Sequence, residues 1–112
     1  MTIPRIVFSD AAVADILEQF DWYAERVGRN LAKRWEASVT TTLLKIAGRP
    51  ATGSLCQFSP QELRETRRMC VARFPKHLIF YEVREREILV LRVVHGARDL
   101  ESLFSADESS DS

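Results

Sequence analysis

Between Arg67 and Val94 hydrophobic and polar positions follow a period of two, in three short runs rich in β-branched and aromatic residues. Pro75 suits the second position of a tight turn after Phe74, and the charged triplet Arg84, Glu85, Arg86 separates the second run from the third. The pattern predicts a three-stranded antiparallel meander. If both turns close tightly, Arg68, Cys70, Ala72, Phe74, His77, Ile79, Tyr81, Val83, Leu89, Leu91 and Val93 share one face. That face is nearly all apolar and is expected to carry the core. The other face then holds Arg67, Met69, Val71, Arg73, Leu78, Phe80, Glu82, Ile88, Val90, Arg92 and Val94, a mixture of guanidinium groups and large apolar side chains that suits a covered surface. Turn length decides the assignment, because a slip of one residue exchanges the two faces.

Upstream the period changes to that of a helix. Ile3 to Phe8 reads as a first strand, with Pro4 at its start or on a sheet edge. Ser9 or Asp10 can cap the helix that follows, whose apolar stripe is Val13, Ile16, Leu17, Phe20, Ala24 and Val27, and Gly28 is placed to end it in the left-handed conformation. Asn30 offers the cap of a second helix, with the stripe Leu31, Trp35, Val39, Leu43 and Ile46, ended by Gly48 and Pro50. So short a joint folds the two helices into an antiparallel hairpin. Its apolar side needs a partner, and the meander supplies one. The expected fold is therefore α+β: an N-terminal strand, then a two-helix hairpin packed on a C-terminal antiparallel meander. Residues 48 to 59 read as a loop, Ser59 to Glu62 as a capping box with Pro60 at the first helical position, and residues beyond His95 as a short helical turn. The domain is expected to span residues 1–104, with the acidic segment 105–112 a disordered tail.

Composition narrows the class without choosing a function. A chain of 112 residues is one domain by length. No apolar run approaches the roughly 20 residues of a membrane span, and the N-terminus lacks the basic start and apolar stretch of a signal peptide, so the expected location is the cytoplasm. Cys56 and Cys70 lack the spacing of a metal or redox motif and read as free thiols; no metal or cofactor is expected. The net charge of zero conceals a pattern: residues 1–25 carry one base against five acids, residues 26–76 eleven against three, and residues 77–112 four against eight. A basic middle of this size attracts an anionic partner or forms a solvated helix face.

The order of strand, helical hairpin, loop, RRMCVARFPKHLIFYEV, EILVLRVV and HGARDL resembles the ParE branch of the RelE/ParE superfamily of toxins from type II toxin–antitoxin modules, over residues 3 to about 104. The resemblance implies a curved antiparallel sheet with the hairpin on one face, which agrees with the pattern. It implies one of two activities. ParE relatives poison DNA gyrase; RelE relatives cleave messenger RNA on the ribosome. The resemblance also implies a ParD-type antitoxin as partner, and no direct DNA binding by the toxin alone.

Fold alone does not choose between the activities. An RNase of this kind needs a general base, an acid and several cations around the scissile phosphate. The loop from Gly48 to Ser59 holds one base, Arg49, and no acid or histidine, and the chain continues through HGARDLESLF as ParE proteins do. The expectation is a gyrase inhibitor without a catalytic site of its own. If the chain is instead an RNase, Arg73, Arg92 and His95 are the catalytic candidates; a third reading is an inactive binding module of the same fold. Target contact is assigned to Arg29, Lys33, Arg34, Arg67, His95 and Arg98, and antitoxin contact to Met69, Val71, Arg73, Phe80, Val90, Arg92 and Val94. His95 could equally be a turn residue at the strand end, and Arg98 with Asp99 an internal ion pair or cap.

Overall fold

Ser9 opens the helical part of the chain as the sequence suggests, its Oγ accepting from the Ala12 amide at 3.0 Å and donating to the Leu91 carbonyl at 2.8 Å. The computed structural model describes residues 3–56 and 65–96. In chain order these form β1 (Arg5–Phe8), α1 (Asp10–Arg26), α2 (Arg29–Gly48), a 3-10 turn (Pro50–Thr52), β2 (Ser54–Leu55), β3 (Thr66–Val71), β4 (Phe74–Arg84) and β5 (Glu87–His95). The strands make one sheet in the order β1-β5-β4-β3-β2. The expected antiparallel pairing holds from β3 to β5; the segment expected to be a loop instead carries the 3-10 turn and β2, antiparallel to β3, and β1 joins parallel to β5, Arg5 opposite Glu87 and Phe8 opposite Val90, so the sheet is mixed.

The hairpin covers one face of the sheet. Trp35, Val39, Leu43 and Ile46 of α2 are buried as their spacing predicts. On α1 the stripe is rotated: Ala12, Ile16, Phe20 and Tyr23 face the core, whereas Val13 and Leu17 are 44% and 60% exposed. Gly28 corrects a second expectation. It does not close α1 in the left-handed helical region but stands before α2 at φ 142°, ψ 159°, extended backbone of a hand that only glycine adopts readily; Asn30 lies inside α2.

The faces of the meander are the main correction. β3 and β4 join through Ala72 and Arg73, with Val71 opposite Phe74, so the turn precedes the expected one at Phe74–Pro75. β4 and β5 join through Glu85 and Arg86 alone, with Arg84 opposite Glu87. The first turn falls three residues early and the second is one residue shorter than the charged triplet suggested, and each odd displacement inverts a strand. Met69 and Val71 of β3 and Ile88 and Val90 of β5 therefore face the helices beside Ile79 and Tyr81, and Arg68 and Cys70 turn away. An irregularity opposite Phe80 and Tyr81 inserts Leu91 into β5 and returns Val93 to the helix side. On the far face Phe80 and Cys56 are buried with Leu78, Leu91 and Val94 around them. Ser59 to Glu62, Arg98, Asp99, the C-terminal helical turn and the tail lie outside the described residues.

Candidate functional site at the turn between the third and fourth strands

Where β3 turns into β4, the ends of α1, α2 and β5 meet and bring several rings together. Tyr23 projects from the last turn of α1, and its Oη lies 2.8 Å from Nε2 of His77 on β4. His77 is 2% exposed and packs against Trp35 at 5.4 Å, Phe74 at 6.1 Å and, edge-on, its cross-strand partner His95 at 4.7 Å between ring centroids. Burial, and secondarily His95, pushes the His77 pKa down from 6.5 to about 4, while burial pushes the Tyr23 phenol up. Near pH 7 both groups are thus neutral. The Gly96 amide donates to the Lys76 carbonyl at 2.5 Å and ties the end of β5 to the same turn.

Cations rim this aromatic floor. A cleft of about 240 Å³ is lined by Tyr23, Phe74, His77 and His95 with Arg73 and Lys76. A second, of about 450 Å³, lies on the α2 side of the turn between Arg34, Ser38, Thr41 and Arg73. A third, of about 410 Å³, runs along α1 past Glu18, Trp22 and Tyr23 to Val94 and His95. The turn itself is pinned from below: Thr42 Oγ1 accepts from the Ala72 amide at 2.9 Å and donates to the Ser38 carbonyl at 2.8 Å.

The residues singled out from sequence divide between this site and structural roles. Arg73, Arg34 and His95 converge on the turn. Arg92 does not: its Nε and an Nη donate to the Asp15 carboxylate at 2.7 and 2.8 Å, and the Val93 amide donates to the same carboxylate at 3.0 Å. Arg67 donates to the Gly53 carbonyl at 2.7 Å and holds the loop before β2. Arg29 and Lys33 are exposed at the start of α2, and Arg98 is outside the described residues. The proposed antitoxin floor is divided. Val71 and Val90 are buried beneath the helices with Met69 packed against them, while Phe80 and Val94 lie on the opposite face. Sequence reasoning missed Tyr23 and Lys76 as members of a site. His77 was legible only as a histidine in an apolar strand, KHLIFY, which predicts a buried ring but not its neighbours.

A two-helix hairpin on one face of a five-stranded mixed sheet defines an α+β protein of the RelE/ParE-like kind. The profile of the ParE toxins of type II toxin–antitoxin systems, parDE, matches residues 6–100, and the chain belongs to that family. Its structure is similar to a chain of the chromosomal ParDE toxin–antitoxin system from P. aeruginosa, with a TM-score of 0.68 at 16% identity over 84% of this chain and 97% of that one. A conserved hypothetical protein from Helicobacter pylori aligns with a TM-score of 0.42 at 13% identity, over 82% of this chain and 93% of the other. No curated protein sequence matches this chain. No described helix is long and apolar enough to cross a membrane.

Proposed function

We propose that this ParE-family toxin acts in the cytoplasm by inhibiting DNA gyrase and is neutralised by a ParD-type antitoxin. The family match over residues 6–100 carries this reading. The geometry around Arg92 supports it: of the three candidates for an RNA-cleaving set, Arg73 and His95 share a cleft, whereas the guanidinium of Arg92 is bound by Asp15. Gyrase inhibition asks only for a surface complementary to the enzyme, and exposed cations along α2 and the β3–β4 turn provide a recognisable one.

One observation favours ribosome-dependent RNA cleavage as the second reading. His95 and Arg73 border one cleft, an arrangement able to hold a phosphate and move a proton. The two readings separate in a pair of assays on the purified chain, gyrase supercoiling with DNA cleavage and mRNA cleavage on translating ribosomes. Inhibited gyrase with intact message supports the proposal; cut message with active gyrase rejects it.

A further inference from the structure

The two clefts beside the β3–β4 turn share Arg73 and Phe74, and the charged side chains lining them are all basic: Arg34 and Arg73 on one side, Arg73 and Lys76 on the other. Among the described residues Arg34, Arg73 and Lys76 have no ion-pair partner, and all three are exposed. Arg92, by contrast, is bound by Asp15.

Backbone conformation adds a second, independent sign. Arg73 sits at φ 69°, the only non-glycine residue among those described with a positive φ. Glycine or asparagine closes such a turn at lower cost, and an arginine there carries backbone strain. Strain of this kind is retained where the side chain is needed, and the Arg73 side chain borders both clefts.

We propose that the β3–β4 turn is the seat of an acidic segment of the antitoxin. Carboxylates pair with Arg34, Arg73 and Lys76, and an apolar or aromatic side chain rests against Phe74. The inference depends on the antitoxin partnership proposed above and adds its location and chemistry. Ring packing favours a peptide over a nucleic acid. Tyr23 and His77 are turned against Trp35, Phe74 and one another, which leaves them poor platforms for stacking a base. Two clefts of a few hundred cubic ångströms on either side of a half-buried phenylalanine instead suit successive side chains of an extended or helical segment.

The test is calorimetric binding of the full chain to the purified antitoxin encoded beside it, at low and moderate salt, with a twelve-nucleotide single-stranded RNA as a parallel probe. Arg73→Gly is the first variant, because glycine suits the backbone there and removes the guanidinium without loss of fold, which a thermal melt checks. The charge-reversal triple Arg34→Glu, Arg73→Glu, Lys76→Glu is the second. Expected are an antitoxin affinity reduced about tenfold by Arg73→Gly and at least a hundredfold by the triple variant, with a salt dependence that flattens in both. Antitoxin affinity unchanged in either variant that still melts cooperatively overturns the proposal. RNA binding abolished by the same substitutions while antitoxin binding persists overturns it in favour of a nucleic-acid site. A wild-type chain that forms no complex at all overturns the antitoxin partnership itself.

Discussion

His77 is an imidazole with little room for a second proton, since its Nε2 faces the Tyr23 hydroxyl and its ring is enclosed by Trp35, Phe74 and His95. In the unfolded chain it titrates near 6.5 and in the folded chain near 4. Above about pH 6.5 it is neutral in both states and its contribution is complete. As pH falls the unfolded chain takes up the proton first, so stability drains away between pH 6.5 and 4, by roughly 3 kcal/mol across the window. Urea unfolding of the wild type and of His77→Leu at intervals from pH 8 to pH 4 isolates this contribution as a difference; a difference independent of pH would refute it. Gly53 is constrained by space rather than by conformation. A Cβ there would meet the Tyr81 hydroxyl and lie 2.8 Å from the Arg68 carbonyl, and Tyr81 cannot withdraw while it accepts from the Gly53 amide at 2.9 Å and donates to the Pro50 carbonyl at 2.8 Å. Gly53→Ala is expected to cost roughly 2–3 kcal/mol, visible as a lowered melting temperature.

Between elements, single polar contacts do what apolar packing leaves undone. Asp15 fastens α1 to β5 by accepting two bonds from Arg92 and one from the Val93 amide, with the two side chains only 12% and 23% exposed. Asp15→Ala leaves a half-buried guanidinium and an amide without that acceptor, and a loss of about 2–4 kcal/mol in chemical denaturation is expected. Thr42→Val releases the Ala72 amide at the β3–β4 turn; the expected cost is about 1–2 kcal/mol, with faster hydrogen exchange at Ala72 than at strand amides of β4. How far such elements could be read from sequence depended on the length of their repeats. α2 offers five turns of evidence and its buried set was legible. The strands were legible as strands, yet their faces depended on where a two-residue turn sits, and Pro75 pointed past Ala72 and Arg73 to a turn the chain does not make. The inserted Leu91 leaves no trace in an alternating pattern, nor does the pairing of β1 with β5, which joins residues about eighty positions apart. The candidate site suffered most. It gathers side chains from α1, α2, the turn and β5, so each was visible alone and their meeting was not.

Taken whole, the molecule separates its two kinds of surface. The acids of α1 flank one cleft and the bases of α2 and the β3–β4 turn line the others, which gives a chain of zero net charge two local electrostatic fields. One feature of the sheet governs when those surfaces exist. β5 is paired on both sides, by β4 and by β1, and supplies Ile88, Val90 and Val93 to the core. A chain truncated after Arg86 is therefore expected to show no cooperative thermal transition by circular dichroism, and a folded truncation would contradict the account. Pairing the first strand with the last also makes closure a long-range event, slow compared with formation of the helical hairpin. During translation, then, the emerging N-terminal half has no strand to receive it, and the basic turn has no finished scaffold to display it. Any activity that depends on those surfaces is postponed until the ribosome has delivered β5, an interval in which a binding partner already present can be waiting for the newborn chain.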